Sequence, residues 1–217
     1  MKNTILSVIF LAILGTTTAQ ESTFESSLKQ TIVALDSTNK LESMAPIVDQ
    51  LERISQMESQ RWETFYYLAY ARIRYSFIEK DGQKKDALLD LAQKSITEAL
   101  KLNGDKSELH ALQGFLYQGR ISVSASRGMT YSQKANSELA VALELNPNNP
   151  RALFLMGKNV YHTPKFFGGG AKNAVGNFVN ARKLFEASKK QDELSPYWGA
   201  IPNKQMLDIC VKELGEI

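Results

Sequence analysis

Small residues recur along this chain at a fixed interval. Ala71, Gly114 and Gly157 lie 43 positions apart in turn, as do Ala92 and Ala135, and Ala99 and Ala142. A period of this length marks a supersecondary unit repeated in tandem, each copy burying the apolar face of the next. The unit is helical. Phe24, Leu28, Ile32 and Leu35 fall on one helix face, and Ile47, Val48, Leu51 and Ile54 on another. In the second of these helices Ser43 is expected as N-cap, with Pro46 in the first turn. No run alternates convincingly enough for a strand, and glycine and proline fall mainly between the helical patterns.

Three segments align on this period. Residues 67–104 carry Tyr67, Ala71, Ala92, Ile96 and Ala99; residues 110–147 carry His110, Gly114, Ala135, Leu139, Ala142 and Pro147; residues 153–186 carry Leu153, Gly157, Ala174, Phe178 and Ala181. Two antiparallel helices approach closely only where small side chains meet. A small residue in the first helix (helix A) opens that space, and two alanines seven apart in the second (helix B) enter it. Leu139 and Phe178 then plug the neighbouring groove.

These residues resemble the tetratricopeptide repeat (TPR) family, whose pattern is a small residue in helix A, then Ala, a large apolar residue and Ala in helix B, then proline. The string from Ala142 to Pro150, ALELNPNNP, is similar to the junction between two TPR units. The resemblance implies an all-α fold. It is a TPR-like α-solenoid of about three helix pairs over residues 61–190, with an N-terminal helical hairpin over 20–60 and a tail and capping helix over 191–217. The family's unit has about 34 residues, whereas two units here have 43. The extra residues lie between helices A and B, and in the first unit Ala69 competes with Ala71 for the helix A position, two residues apart in register.

Residues 1–19 read as a signal peptide: Lys2, an apolar run from Ile5 to Leu14, and the small residues Thr17, Thr18 and Ala19 before a cleavage point. The chain is therefore expected to be exported, periplasmic or secreted, and cleaved after Ala19. The apolar run is about half of the ~20 residues a spanning helix needs, so stable membrane insertion is not expected. Without residues 1–19 the balance is 25 basic to 23 acidic residues. That lacks the concentrated basic charge that nucleic-acid binding requires. Cys210 is the single cysteine, so no internal disulfide can form, and its apolar helical setting predicts a buried thiol.

Nothing in the sequence assembles a catalytic set. His110 and His162 lack metal-ligand spacing, and no nucleophile pattern surrounds Ser122, Ser124 or Ser126. A non-catalytic binding protein is expected, with no cofactor and no metal; a hydrolase with a site not visible in sequence is the alternative from another class. The Gly168-Gly169-Gly170 run lacks the Lys-Ser/Thr pair of a phosphate loop, so it reads as a turn needing positive φ or close approach, with Phe166 and Phe167 pinning it on the core. The segment from Tyr161 to Gly170, and Ser195 to Gly199, resemble exported bacterial TPR proteins, among them the periplasmic T components of tripartite transporters. The aromatic group Trp62, Phe65, Tyr66, Tyr67, Tyr70 and Tyr75 is denser than a core requires.

In the TPR family helix A lines the concave face. Carried onto this chain, the resemblance implies a partner-binding face of Arg72 and Tyr75, then Glu108, Ala111, Phe115 and Gln118, then Arg151, Phe154, Lys158 and Tyr161, with His162 at its mouth. The expected occupant is a peptide or partner helix in the cell envelope. The alternative is a small apolar ligand, held between solenoid and tail by a carrier associated with a transporter.

Overall fold

The computed structural model describes residues 24–188 and 194–215. The expected signal segment, residues 1–19, lies outside them. The described residues are helical throughout, joined by turns, with no strand among them. Helix α1 covers residues 24–36. Seven helices follow: α2 (Leu41–Met57), α3 (Trp62–Ile78), α4 (Gly82–Lys101), α5 (Lys106–Ile121), α6 (Gly128–Leu145), α7 (Pro150–His162) and α8 (Ala171–Ala187). Helix α9 (Ala200–Leu214) comes last.

The tightest pairs are α3 with α4, α5 with α6, and α7 with α8, and α9 packs on α8. The first members of the pairs also touch one another, α3 with α5 and α5 with α7, so they form a continuous inner layer. The small residues explain this closeness. A Cβ on Gly114 would lie 2.7 Å from Leu139 Cγ, and one on Gly157 would lie 2.7 Å from Phe178 Cε1. Ala71, Ala92, Ala99, Ala135, Ala142, Ala174 and Ala181 are fully buried.

Side-chain caps start α4, within the first pair, and α5 and α7, at the junctions between pairs. Asp81 accepts from Lys84 N–H, Asp105 from Glu108 N–H, and Asn149 from Arg151 and Ala152 N–H. Each satisfies amides that a helix start leaves without partners. Pro147 sits in the turn before Asn149, and Pro150 opens α7, where its missing N–H costs nothing. Asn149 Nδ2 donates to Ser107 Oγ, which donates to the carbonyl of Ala142, tying the last two pairs together. The extra residues of the long units extend the helices, and in the second unit they also form a short 3-10 turn, Ala125–Arg127.

One helix start differs from expectation. Helix α2 begins at Leu41, so Pro46 lies inside it and Ser43 is not its cap. The apolar face of α2 buries Met44, Val48, Leu51 and Ile54 regardless. Burial against α3 outweighs the hydrogen bond that Pro46 cannot donate. Cys210 is fully buried, and that burial raises its thiol pKa.

Candidate functional site

The inner layer and the tail enclose a groove of about 490 Å³. Its wall from α3 is Tyr70, Arg74 and Phe77; α5 supplies Phe115, α7 supplies Phe154 and Lys158, and the tail supplies Tyr197 to Pro202. The floor is a laminate of aromatic rings. Tyr70 stacks on Trp198 with centroids 4.6 Å apart and planes 15° from parallel. Trp198 lies 5.7 Å from Phe115 at 27°, and Phe115 lies 5.2 Å from Phe77 at 26°. Offset, near-parallel rings are a favoured aromatic arrangement, and here they give the cavity an aromatic, apolar side.

Two features hold this floor in place. Trp198 Nε1 donates to Tyr66 Oη at 2.9 Å, and Tyr67 Oη donates to the carbonyls of Leu194 and Ser195 at 3.2 Å each. Tyr66 in turn donates to Glu108, which takes a bidentate pair from Arg151 at 2.6 and 2.7 Å. Burial raises the pKa of both Tyr66 and Tyr67, so they act as neutral hydroxyls. Gly199, with φ of +111°, turns the chain beside Phe185, where a Cβ would come within 2.7 Å of the ring. Thus a polar network under the groove fastens the tail across it.

The groove carries two cations in different states. Arg74 is well partnered: it donates to the carbonyls of Leu35 and Thr38 and to Asn39 Oδ1, and lies 3.6 Å from Asp36. Lys158 has no carboxylate partner among the described residues. Its ammonium lies 5.1, 5.2 and 5.9 Å from the ring centroids of Phe115, Phe77 and Phe154. Ring faces attract a cation but replace only part of its lost hydration. Burial accordingly pushes the Lys158 amine down to about 8. At the rim, burial and then the Asp36 charge push the Tyr197 hydroxyl up to about 12. Burial also raises the Asp36 carboxyl, against the opposing pull of Tyr197 and Arg74. The arrangement suits a flat apolar ligand bearing an acidic group.

No protein-family model matches the chain, and no curated protein does. A solved structure does: the HusA haemophore from Porphyromonas gingivalis, with 31% identity and a TM-score of 0.80, the match covering 89% of this chain and 96% of that one. The chain belongs to the HusA haemophore family. It shares the family's helical architecture along nearly its whole length.

Of the residues expected on the inner face, the structure brings Phe115, Phe154 and Lys158 together in the groove. Others turn elsewhere. Arg72 is buried, donates to Ser95 Oγ and the Leu91 carbonyl, and pairs with Glu52 of α2 at 3.1 Å. Tyr75 packs against the core outside the groove. The cause is register. In α5 and α7 the groove residue follows the small residue directly, Phe115 after Gly114 and Lys158 after Gly157. In α3 the groove residue is Tyr70, which follows Ala69, and Arg74 and Phe77 continue that face at helical spacing. The spacing of 43 from Gly114 selects Ala71 and so points two residues off.

Gln118 donates to the carbonyl of Leu155, joining α5 to α7. Arg151 is occupied by Glu108. The Tyr161 hydroxyl bonds Glu213 of α9, and His162 lies exposed at the end of α7, edge-on to Tyr161. His110 is bound to Glu138 at 2.7 Å. Tyr70, Arg74, Phe77, Tyr197 and Trp198 were missed as groove residues. The dense aromatic cluster and the Ser195–Gly199 tail carry the signal for them, but only the fold joins the two. Phe166 and Phe167 do not pin the glycine turn on the core: they are 91% and 64% exposed.

Proposed function

We propose that this chain is an exported carrier that holds haem, or the porphyrin ring of haem, in the groove between α3, α5, α7 and the tail. One observation carries the reading: a floor of near-parallel rings beside an ammonium that has no carboxylate of its own. A porphyrin is flat and apolar, and haem carries two carboxylate side chains. The rings would take the face, and Lys158 would take one carboxylate in a charge-assisted hydrogen bond. Kinship with a haemophore supports the same ligand.

The lining also bears on how iron would be treated. It holds no histidine, cysteine or methionine. The donors it offers a metal are the hydroxyls of Tyr70 and Tyr197, the Asp36 carboxyl, the amide oxygens of Asn39 and Gln205 and the Lys158 amine, and burial raises both tyrosines, which disfavours phenolate. The grip therefore falls on the ring and its carboxylates. The tail further favours a compact ligand over a peptide, because Trp198 fills the inner face where an extended chain would run. We also read the helix pairs as lengthened TPR units. Binding fits this geometry better than catalysis.

Titration of the mature protein with haem and with metal-free protoporphyrin tests the proposal through tryptophan fluorescence. Both ligands should quench saturably, and the affinity read from that quenching should fall about 10- to 150-fold in Lys158→Met. No saturable quenching with either ligand, or an affinity unchanged in Lys158→Met, would sink the reading.

A further inference from the structure

At the far end of α7 the chain holds two phenylalanines in water. Phe166 and Phe167 sit on a short 3-10 turn, Lys165–Phe167, with ring centroids 5.2 Å apart at 76°. The turn is firmly fixed. Phe167 and Gly169 N–H both donate to the Pro164 carbonyl, Gly168 N–H to Lys165, and Gly170 N–H to Val160. Asn173 Nδ2 closes it from α8 onto the carbonyl of Gly168. The glycines are needed for this shape: Gly168 and Gly170 have φ of +83° and +92°, and a Cβ on Gly169 would lie 1.7 Å from the Thr163 carbonyl oxygen. A backbone so specified, ending in two exposed rings, contributes nothing to the core.

The charge along this stretch of chain has one sign. Between Leu145 and Phe185 the sequence has no Asp or Glu, and it has six Lys and Arg. Lys165 is in the turn and Lys172 is in the first turn of α8; both are exposed, and neither has an ion-pair partner among the described residues. Glu213, which approaches this end from α9, is engaged by the Tyr161 hydroxyl. Exposed aromatic rings flanked by lysines are complementary to one kind of surface, an anionic lipid bilayer, where rings enter the headgroup region and ammonium groups meet phosphates.

We propose that the Phe166–Phe167 turn is a membrane-contact point that seats this protein reversibly on anionic lipid. No helix among the described residues is long and apolar enough to cross a membrane, so contact is peripheral. Helix α7 ends four residues after Lys158 and the turn follows it, seven residues after Lys158, so it would bring the mouth of the groove close to the bilayer. It does not depend on the identity of the ligand in that groove.

Co-sedimentation of the mature protein with phosphatidylcholine vesicles, with and without phosphatidylglycerol, tests this. Binding is expected with the anionic mixture and weakly or not at all with phosphatidylcholine alone. Phe166→Ala with Phe167→Ala should lower the partition coefficient by about tenfold or more, and Lys165→Gln or Lys172→Gln by about fivefold each. Because the rings are solvent-exposed, the variants should unfold at the wild-type temperature and bind porphyrin as the wild type does. Vesicle binding unchanged by the double alanine variant would overturn the proposal. So would absence of vesicle binding by the wild type while it bound cells through a protease-sensitive receptor.

Discussion

Replacing Lys158 by methionine keeps volume and removes charge, and it should change stability and binding in opposite directions. In the folded protein burial lowers the amine from 10.5 to about 8. At about 1.36 kcal/mol per pH unit this is up to about 3.4 kcal/mol of destabilisation. Partial exposure and the three ring faces around the ammonium reduce it to about 1–2 kcal/mol. The unfolded chain holds this proton more tightly than the folded one. The cost is therefore fully present below pH about 8 and is relieved as pH rises from there to 10.5. Lys158→Met should then raise the apo melting temperature at pH 7 by about 2–8 °C and flatten this part of the stability–pH curve. Binding should move the other way. A charge-assisted hydrogen bond contributes about 1.5–3 kcal/mol, so porphyrin carboxylate affinity should fall about 10- to 150-fold. Wild-type affinity should decline above pH about 8, and that decline should disappear in the variant. Calorimetry of the apo proteins and ligand titration across pH supply both readouts. A variant that melts lower and binds as tightly as wild type would refute the reasoning.

Three further outcomes follow from the packing. Glu108→Ala leaves the buried Arg151 guanidinium without its bidentate partner, and denaturant unfolding should show a loss of about 3–5 kcal/mol. Gly157→Val forces a side chain against the fully buried Phe178; overpacking should cost about 1–3 kcal/mol and lower the melting temperature by about 3–10 °C. Gly169→Ala cannot keep its present backbone beside Thr163. It should increase protease cleavage between residues 163 and 170 while the circular dichroism of the helices stays unchanged.

The repeat was legible because its cause is local and periodic. Gly114 and Gly157 must be small to admit Leu139 and Phe178, and that requirement recurs at a spacing anyone can count. Lys158, Phe115 and Phe154 were legible for the same reason, since they sit at fixed offsets from those glycines. The first unit was not, because Ala69 and Ala71 are both fully buried and composition alone does not say which faces α4. Two residues of register on a helix rotate the face by more than half a turn. That is why Arg72 points to Ser95 and Glu52 while Arg74 reaches the groove rim.

By itself the sequence determined that this chain is helical and built from repeated pairs. Periodicity acts within a few residues, so it is written in order along the chain. Only the tertiary structure decided that the groove exists. Tyr70 and Trp198 are 128 positions apart, and they stack where hydrogen bonds with Tyr66 and Tyr67 hold the tail. It also decided that Phe166 and Phe167 face water, since the glycine turn directs them away from the core.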